Sequence, residues 1–99
     1  MIEVRQTAAF AKWFAKLRDI RAQAHIARRI ERAQAGNLGD VKALGDGVSE
    51  MRVHYGAGYR LYLTQRAERL VILLCGDKAS QAADIRTAKG MARELDDDA

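Results

Sequence analysis

Phe10, Trp13, Phe14 and Leu17 recur at i, i+3, i+4 and i+7, the spacing of one apolar helix face. Thr7 just ahead of them is a candidate cap. Before it, Ile2-Glu3-Val4-Arg5 alternates with period two, as a short strand does. At about 100° per residue, Ile26, Ile30 and Ala33 would fall on the side opposite the first stripe if one helix ran on unbroken. A break near Arg18-Asp19, with Asp19 capping a second helix, lets both stripes meet the same core. Gly36-Asn37 is expected to end that helix.

Residues 48–64 read as a hairpin. Met51, Val53 and Tyr55 alternate with Glu50, Arg52 and His54, while Tyr59, Leu61 and Leu63 alternate with Arg60, Tyr62 and Thr64. A three-residue Gly56-Ala57-Gly58 loop sets Tyr55 opposite Tyr59 and keeps the apolar sets on one face. That register puts His54 opposite Arg60 and Arg52 opposite Tyr62 on the other face. Leu70-Val71-Ile72-Leu73-Leu74-Cys75 has no alternation, as a central strand covered on both faces requires. After Gly76-Asp77-Lys78, Ser80 is a candidate cap for a last helix carrying Ile85, Ala88, Ala92 and Leu95 at helical spacing, with Asp84 in its first turn. The order β-α-α-β-β-β-α predicts an α+β fold: a small, mainly antiparallel sheet with two N-terminal helices and one C-terminal helix, packed on one face.

Ninety-nine residues suit one domain, expected over 1–95, with an acidic tail over 96–99. The apolar share is 48% and the charged share 30%, too apolar for a disordered chain. Net charge is +4, but three of the thirteen acids are Asp96, Asp97 and Asp98, so the rest of the chain carries +7. A basic body suits a polyanionic partner, nucleic acid or an acidic protein. The single Cys75, inside the most apolar run, excludes an internal disulfide and reads as a core thiol in a reducing compartment, the cytoplasm. Neither a signal peptide nor a membrane anchor is expected, since the longest apolar run is far short of a bilayer span.

Cys75, His25 and His54 are not at metal-ligand spacing, and Asp40, Asp46 and Glu50 lie in or beside a glycine-rich stretch without a known pattern, so no metal is expected. No phosphate-binding glycine motif appears, and no cofactor or small-molecule ligand is expected. The polar face of the hairpin is the informative feature. Arg52, His54 and Arg60 converge there, with Lys78 following the central strand. Such a cluster grips a phosphate, stabilises a pentacoordinate transition state and moves a proton through His54. This is metal-free ribonuclease chemistry, in which the ribose 2′-hydroxyl attacks the adjacent phosphorus. Any one of these residues alone is equally what a solvated sheet face carries. Lys12, Lys16, Arg18, Arg21, Arg28, Arg29 and Arg32 add a second basic surface, suited to phosphate contacts without base specificity or to an acidic partner.

The run from Ala43 to Val53, Ala-Leu-Gly-Asp-Gly-Val-Ser-Glu-Met-Arg-Val, then Gly56-Ala57-Gly58-Tyr59-Arg60-Leu61-Tyr62, Cys75-Gly76-Asp77-Lys78 and the closing Asp84-Ile85-Arg86-Thr87-Ala88-Lys89 resemble the HigB-like addiction-module killer proteins of the RelE/ParE toxin superfamily. The resemblance spans nearly the whole chain. It implies a type II toxin encoded beside a helix-turn-helix antitoxin, and a ribosome-dependent mRNA endoribonuclease that cuts in the A site. It implies transition-state stabilisation by Arg60, and backbone binding by Arg52 and Lys78. One departure stands out: relatives of the RelE kind carry a tyrosine in the last helix or tail, and this chain has none after Tyr62, with Asp84 at roughly that place. Three options follow: His54 or Asp84 handles protons, the ribosome makes a base dispensable, or the protein does not cut RNA. In the last case it is a ParE-type DNA gyrase poison or a non-toxic interaction module.

Overall fold

A computed structural model describes residues 2–95; the acidic tail at 96–99 lies outside the described residues. The chain forms β1 (Glu3–Gln6), α1 (Ala8–Lys16), α2 (Ile20–Gln34), β2 (Val41–Gly45), β3 (Val48–Val53), β4 (Tyr59–Arg66), β5 (Arg69–Gly76) and α3 (Gln81–Glu94). The fold is α+β. Its five-stranded sheet has the order β1-β5-β4-β3-β2, antiparallel throughout except for β1, which runs parallel to β5.

Both N-terminal helices start as their caps dictate. The Phe10 N–H donates to Thr7 Oγ1 at 3.1 Å, and the Arg21 and Ala22 N–H groups donate to Asp19 Oδ1 at 3.0 and 3.1 Å. At the far end of α2, Gly36 takes φ +92°, and the N–H groups of Gly36 and Asn37 reach back to the carbonyls of Ala33 and Arg32. Phe10 and Ile26 then meet Met51, Leu61, Leu63 and Ile72 in one core layer, with Trp13, Phe14 and Leu17 at its rim.

Three expectations need correction. The order has a fourth strand after the helices: β2, an exposed edge strand without apolar alternation. A two-residue Asp46-Gly47 turn joins it to β3, with φ of 55° and 75°, the left-handed pair that favours such dipeptides. The helices cover both faces of the sheet, not one: α1 and α2 lie over the first layer, while Ala88 and Ala92 of α3 pack on Val48, Tyr62, Val71 and Leu73 on the other side. A register shift in the β4–β5 ladder, where Tyr62 faces Leu74 but Leu63 faces Ile72, helps β5 to serve both layers.

The hairpin register is offset by two residues. Val53 faces Tyr59, Met51 faces Leu61 and Arg52 faces Arg60, so the connection is His54–Gly58 rather than three residues. Tyr55 leaves the ladder because α2 claims it: its ring stacks on His25 at 4.4 Å and its hydroxyl approaches Asp19 at 3.4 Å. An even offset keeps the side chains that remain paired on their expected faces.

Candidate functional site

The offset register builds the site. Arg52, Arg60 and Gly76 are cross-strand neighbours on the α3 side of the sheet, in one row across β3, β4 and β5. Two arginines directly opposite each other repel. Glu50, two residues before Arg52 and fully buried, resolves this. Its Oε1 lies 3.1 Å from Arg52 Nε and its Oε2 3.7 Å from Arg60 Nε. Gln81, in the first turn of α3, donates from Nε2 to Oε2 at 2.9 Å. The carboxylate therefore holds Arg52 by a hydrogen bond to its Nε and Arg60 by charge alone, since Arg60 Nε is buried without a hydrogen-bond partner among the described residues, and Gln81 ties the group to α3.

Further contacts fix the rim. Arg60 Nη1 donates to the Gly58 carbonyl at 2.9 Å, and the Lys78 N–H donates to the Ala57 carbonyl at 3.3 Å. A Cβ at Gly58, whose φ is +76°, would stand 3.5 Å from Lys78 Cβ and 3.6 Å from Arg60 Nη1, so the hairpin tip brings the lysine stem near the arginine. Lys78 is exposed, the Arg52 side chain is about one-third exposed and that of Arg60 is largely buried. On the other flank Asp84 lies over Gly76, accepting a hydrogen bond from Ser80 Oγ at 2.5 Å. Ser80 sits at the helix start but makes no side-chain cap; its hydroxyl serves Asp84 instead. The Tyr62 hydroxyl lies fully buried beneath this site without a hydrogen-bond partner among the described residues. Burial, helped by the negative charges of Glu50 and Asp84, pushes its pKa far up.

Two predicted site residues are placed elsewhere. His54 is outside the paired strands, largely exposed, with Nε2 2.6 Å from Asp40 Oδ2, so it does not face Arg60 and belongs to the β2 edge. Arg29 is not part of the basic surface. It is buried, donating from Nη1 to the Arg52 carbonyl and from Nη2 to the Leu38 carbonyl at 2.7 Å. Burial, followed by the charge of Arg32, lowers its pKa. Arg21, Arg28 and Arg32 are exposed on α2, Lys12 and Lys16 on α1 and Arg18 between them, so this basic surface lies across the sheet from Arg52 and Arg60. Cys75 is buried in the α1–α2 layer and its thiol pKa is pushed far up by burial. Among the described residues no three His, Cys, Asp or Glu side chains converge as metal ligands.

Sequence reasoning missed the joint role of Glu50 and Gln81. The signal for Glu50 was its parity: with Val48 and Arg52 it must share one face, and a carboxylate beside two facing arginines is their natural partner. Nothing local marks Gln81, because its contact depends on where α3 lands.

The fold and the arginine row define a small α+β domain with a paired-arginine cluster beneath the first turn of its last helix. No family model matches the chain. It is 48% identical over 95 residues to an uncharacterized protein of Haemophilus influenzae, covering 95% of this chain and 96% of that protein, and it belongs to that protein's family. No described helix is long and apolar enough to cross a membrane.

Proposed function

We propose that the protein is the toxin of a type II toxin–antitoxin system, of the HigB-like kind in the RelE/ParE superfamily, acting in the cytoplasm as a ribosome-dependent, metal-independent mRNA endoribonuclease. The observation that carries this reading is the facing pair Arg52 and Arg60, held by Glu50 and flanked by Lys78. Two adjacent guanidinium groups are what the extra charge of a pentacoordinate phosphorus needs. Arg60 stabilises that charge, and Arg52 and Lys78 hold the backbone. With His54 outside the row, Asp84, which lies over Gly76, the ladder partner of Arg60, is the carboxylate that can take the 2′-hydroxyl proton. The exposed Arg28 and Arg32 supply salt-dependent contacts to ribosomal RNA, and a helix-turn-helix antitoxin is the expected inhibitor.

Arg60→Ala tests the reading. Primer extension on messenger RNA after induction should show A-site cuts for the natural protein and loss of cutting by a factor of about a hundred or more for the variant, the size of losing one transition-state donor. Cutting that survives the substitution removes Arg60 from the chemistry. A second reading, a non-enzymatic poison of DNA gyrase, is favoured by one observation: Tyr62, the last tyrosine of the chain, is sealed in the core and cannot reach a substrate. DNA damage on induction without messenger cuts would select it.

A further inference from the structure

Two arginines side by side form a doubly charged site, and such a site by itself favours a dianion. Here a third charge intervenes. Glu50 is fully buried between them, with one oxygen toward each Nε and Gln81 bracing the second oxygen. Shielded from water, this carboxylate is poorly screened, and it acts on whatever docks against the outer edges of the two guanidinium groups. Arg52, Arg60 and Glu50 together carry a single positive charge. The neighbouring charges add no further positive excess: Lys78 stands on one side, against Asp84 over Gly76 and Asp77, whose carboxylate accepts from the Ser80 N–H at 3.1 Å. A phosphodiester within a strand carries one negative charge, whereas a terminal phosphate monoester carries nearly two at neutral pH.

We propose that Glu50 is the specificity-determining group of the arginine pair: cancelling one guanidinium charge from beneath, it suits the site to singly charged phosphodiesters and turns it against dianionic phosphate monoesters. The inference rests on the reading of this site as a phosphodiester-cleaving centre. It adds that a strand end bearing a monoester is held more weakly than an intact strand; the 2′,3′-cyclic phosphate left by 2′-hydroxyl attack is itself a singly charged diester and is not discriminated against.

Binding of two non-cleavable probes to the full chain at neutral pH tests this: a 2′-deoxy dinucleoside monophosphate, with one internal diester, and a 2′-deoxynucleoside 3′-monophosphate. Calorimetry, or the Arg Nε–Hε resonances in NMR, gives both affinities. The natural protein should bind the diester at least as tightly as the monoester despite the latter's larger charge. Glu50→Gln should raise monoester affinity relative to diester affinity about tenfold, the effect of one unit charge acting on a ligand at the solvent edge of the site. A natural protein that prefers the monoester, or binds neither probe, overturns the proposal, as does a folded Glu50→Gln protein with an unchanged ratio. The comparison on the natural protein stands even if the variant does not fold. Cleavage of ribosome-bound messenger, measured alongside, separates the two ideas. Diester preference without cutting keeps the charge role and removes the nuclease; cutting with monoester preference does the reverse.

Discussion

At Gly76 a single hydrogen decides whether Asp84 has room. A Cβ there would collide with Asp84 Oδ2 and stand 2.8 Å from Ser80 Oγ. Gly76→Ala should therefore cost about 1–3 kcal/mol, the usual penalty of overpacking, read as a lower urea midpoint. Adding Asp84→Ala should recover much of that loss, so the double variant should be more stable than the sum of the two singles implies. Strict additivity would show that Asp84 does not press on Gly76. Arg29 offers a parallel contrast among three arginines of one helix. Removing it strands the carbonyls of Leu38 and Arg52, so Arg29→Ala should cost about 2–4 kcal/mol. Arg28→Ala and Arg32→Ala, on the exposed side, should stay within about 0.5 kcal/mol while weakening any RNA affinity measured at low salt. Comparable melting losses for all three would contradict the buried placement of Arg29.

Among the elements, those that bury a continuous stripe were readable from the chain, because their pattern is local. The Phe10 and Ile26 stripes, the break at Asp19 and the run from Leu70 to Cys75 belong to this group. The edge strand β2 was not, since an exposed strand needs no alternation; its only local mark is the Asp46-Gly47 turn. The hairpin offset was not readable either, because what pulls Tyr55 out of the ladder is a ring on another helix, His25. The same dependence on distant packing hid the side on which α3 lands, and with it the Gln81–Glu50 contact. Asp19 now holds two roles, capping α2 and receiving the Tyr55 hydroxyl. Asp19→Ala should cost about 1 kcal/mol in chemical unfolding, the typical value of a lost cap, and Asp19→Asn should recover most of it. An alanine variant as stable as the parent would mean that the break between α1 and α2 is held by packing alone.

For the molecule as a whole, Cys75 is a built-in reporter. Burial raises its thiol pKa, so the reactive thiolate is scarce in the folded protein, although unfolded cysteine near pH 8.5 would be about half ionised. Alkylation by iodoacetamide should be slow in native buffer and rise with urea in step with global unfolding, followed by mass spectrometry. Rapid labelling without urea would place a local opening at the end of β5. The arginine pair and the basic α1–α2 surface lie on opposite sides of the sheet, so one flat nucleic acid cannot touch both at once. A surrounding partner, such as the cleft of a large ribonucleoprotein, can.

The parallel pairing of β1 with β5 sets a schedule for the chain's own birth. Residues 3–6, made first, have as their ladder neighbours residues 69–72, which are made long after both N-terminal helices. The opening segment must wait, unpaired, while the meander forms. Gly76, which completes the arginine row, arrives later still. A nascent chain therefore carries no finished arginine row until β5 has been made.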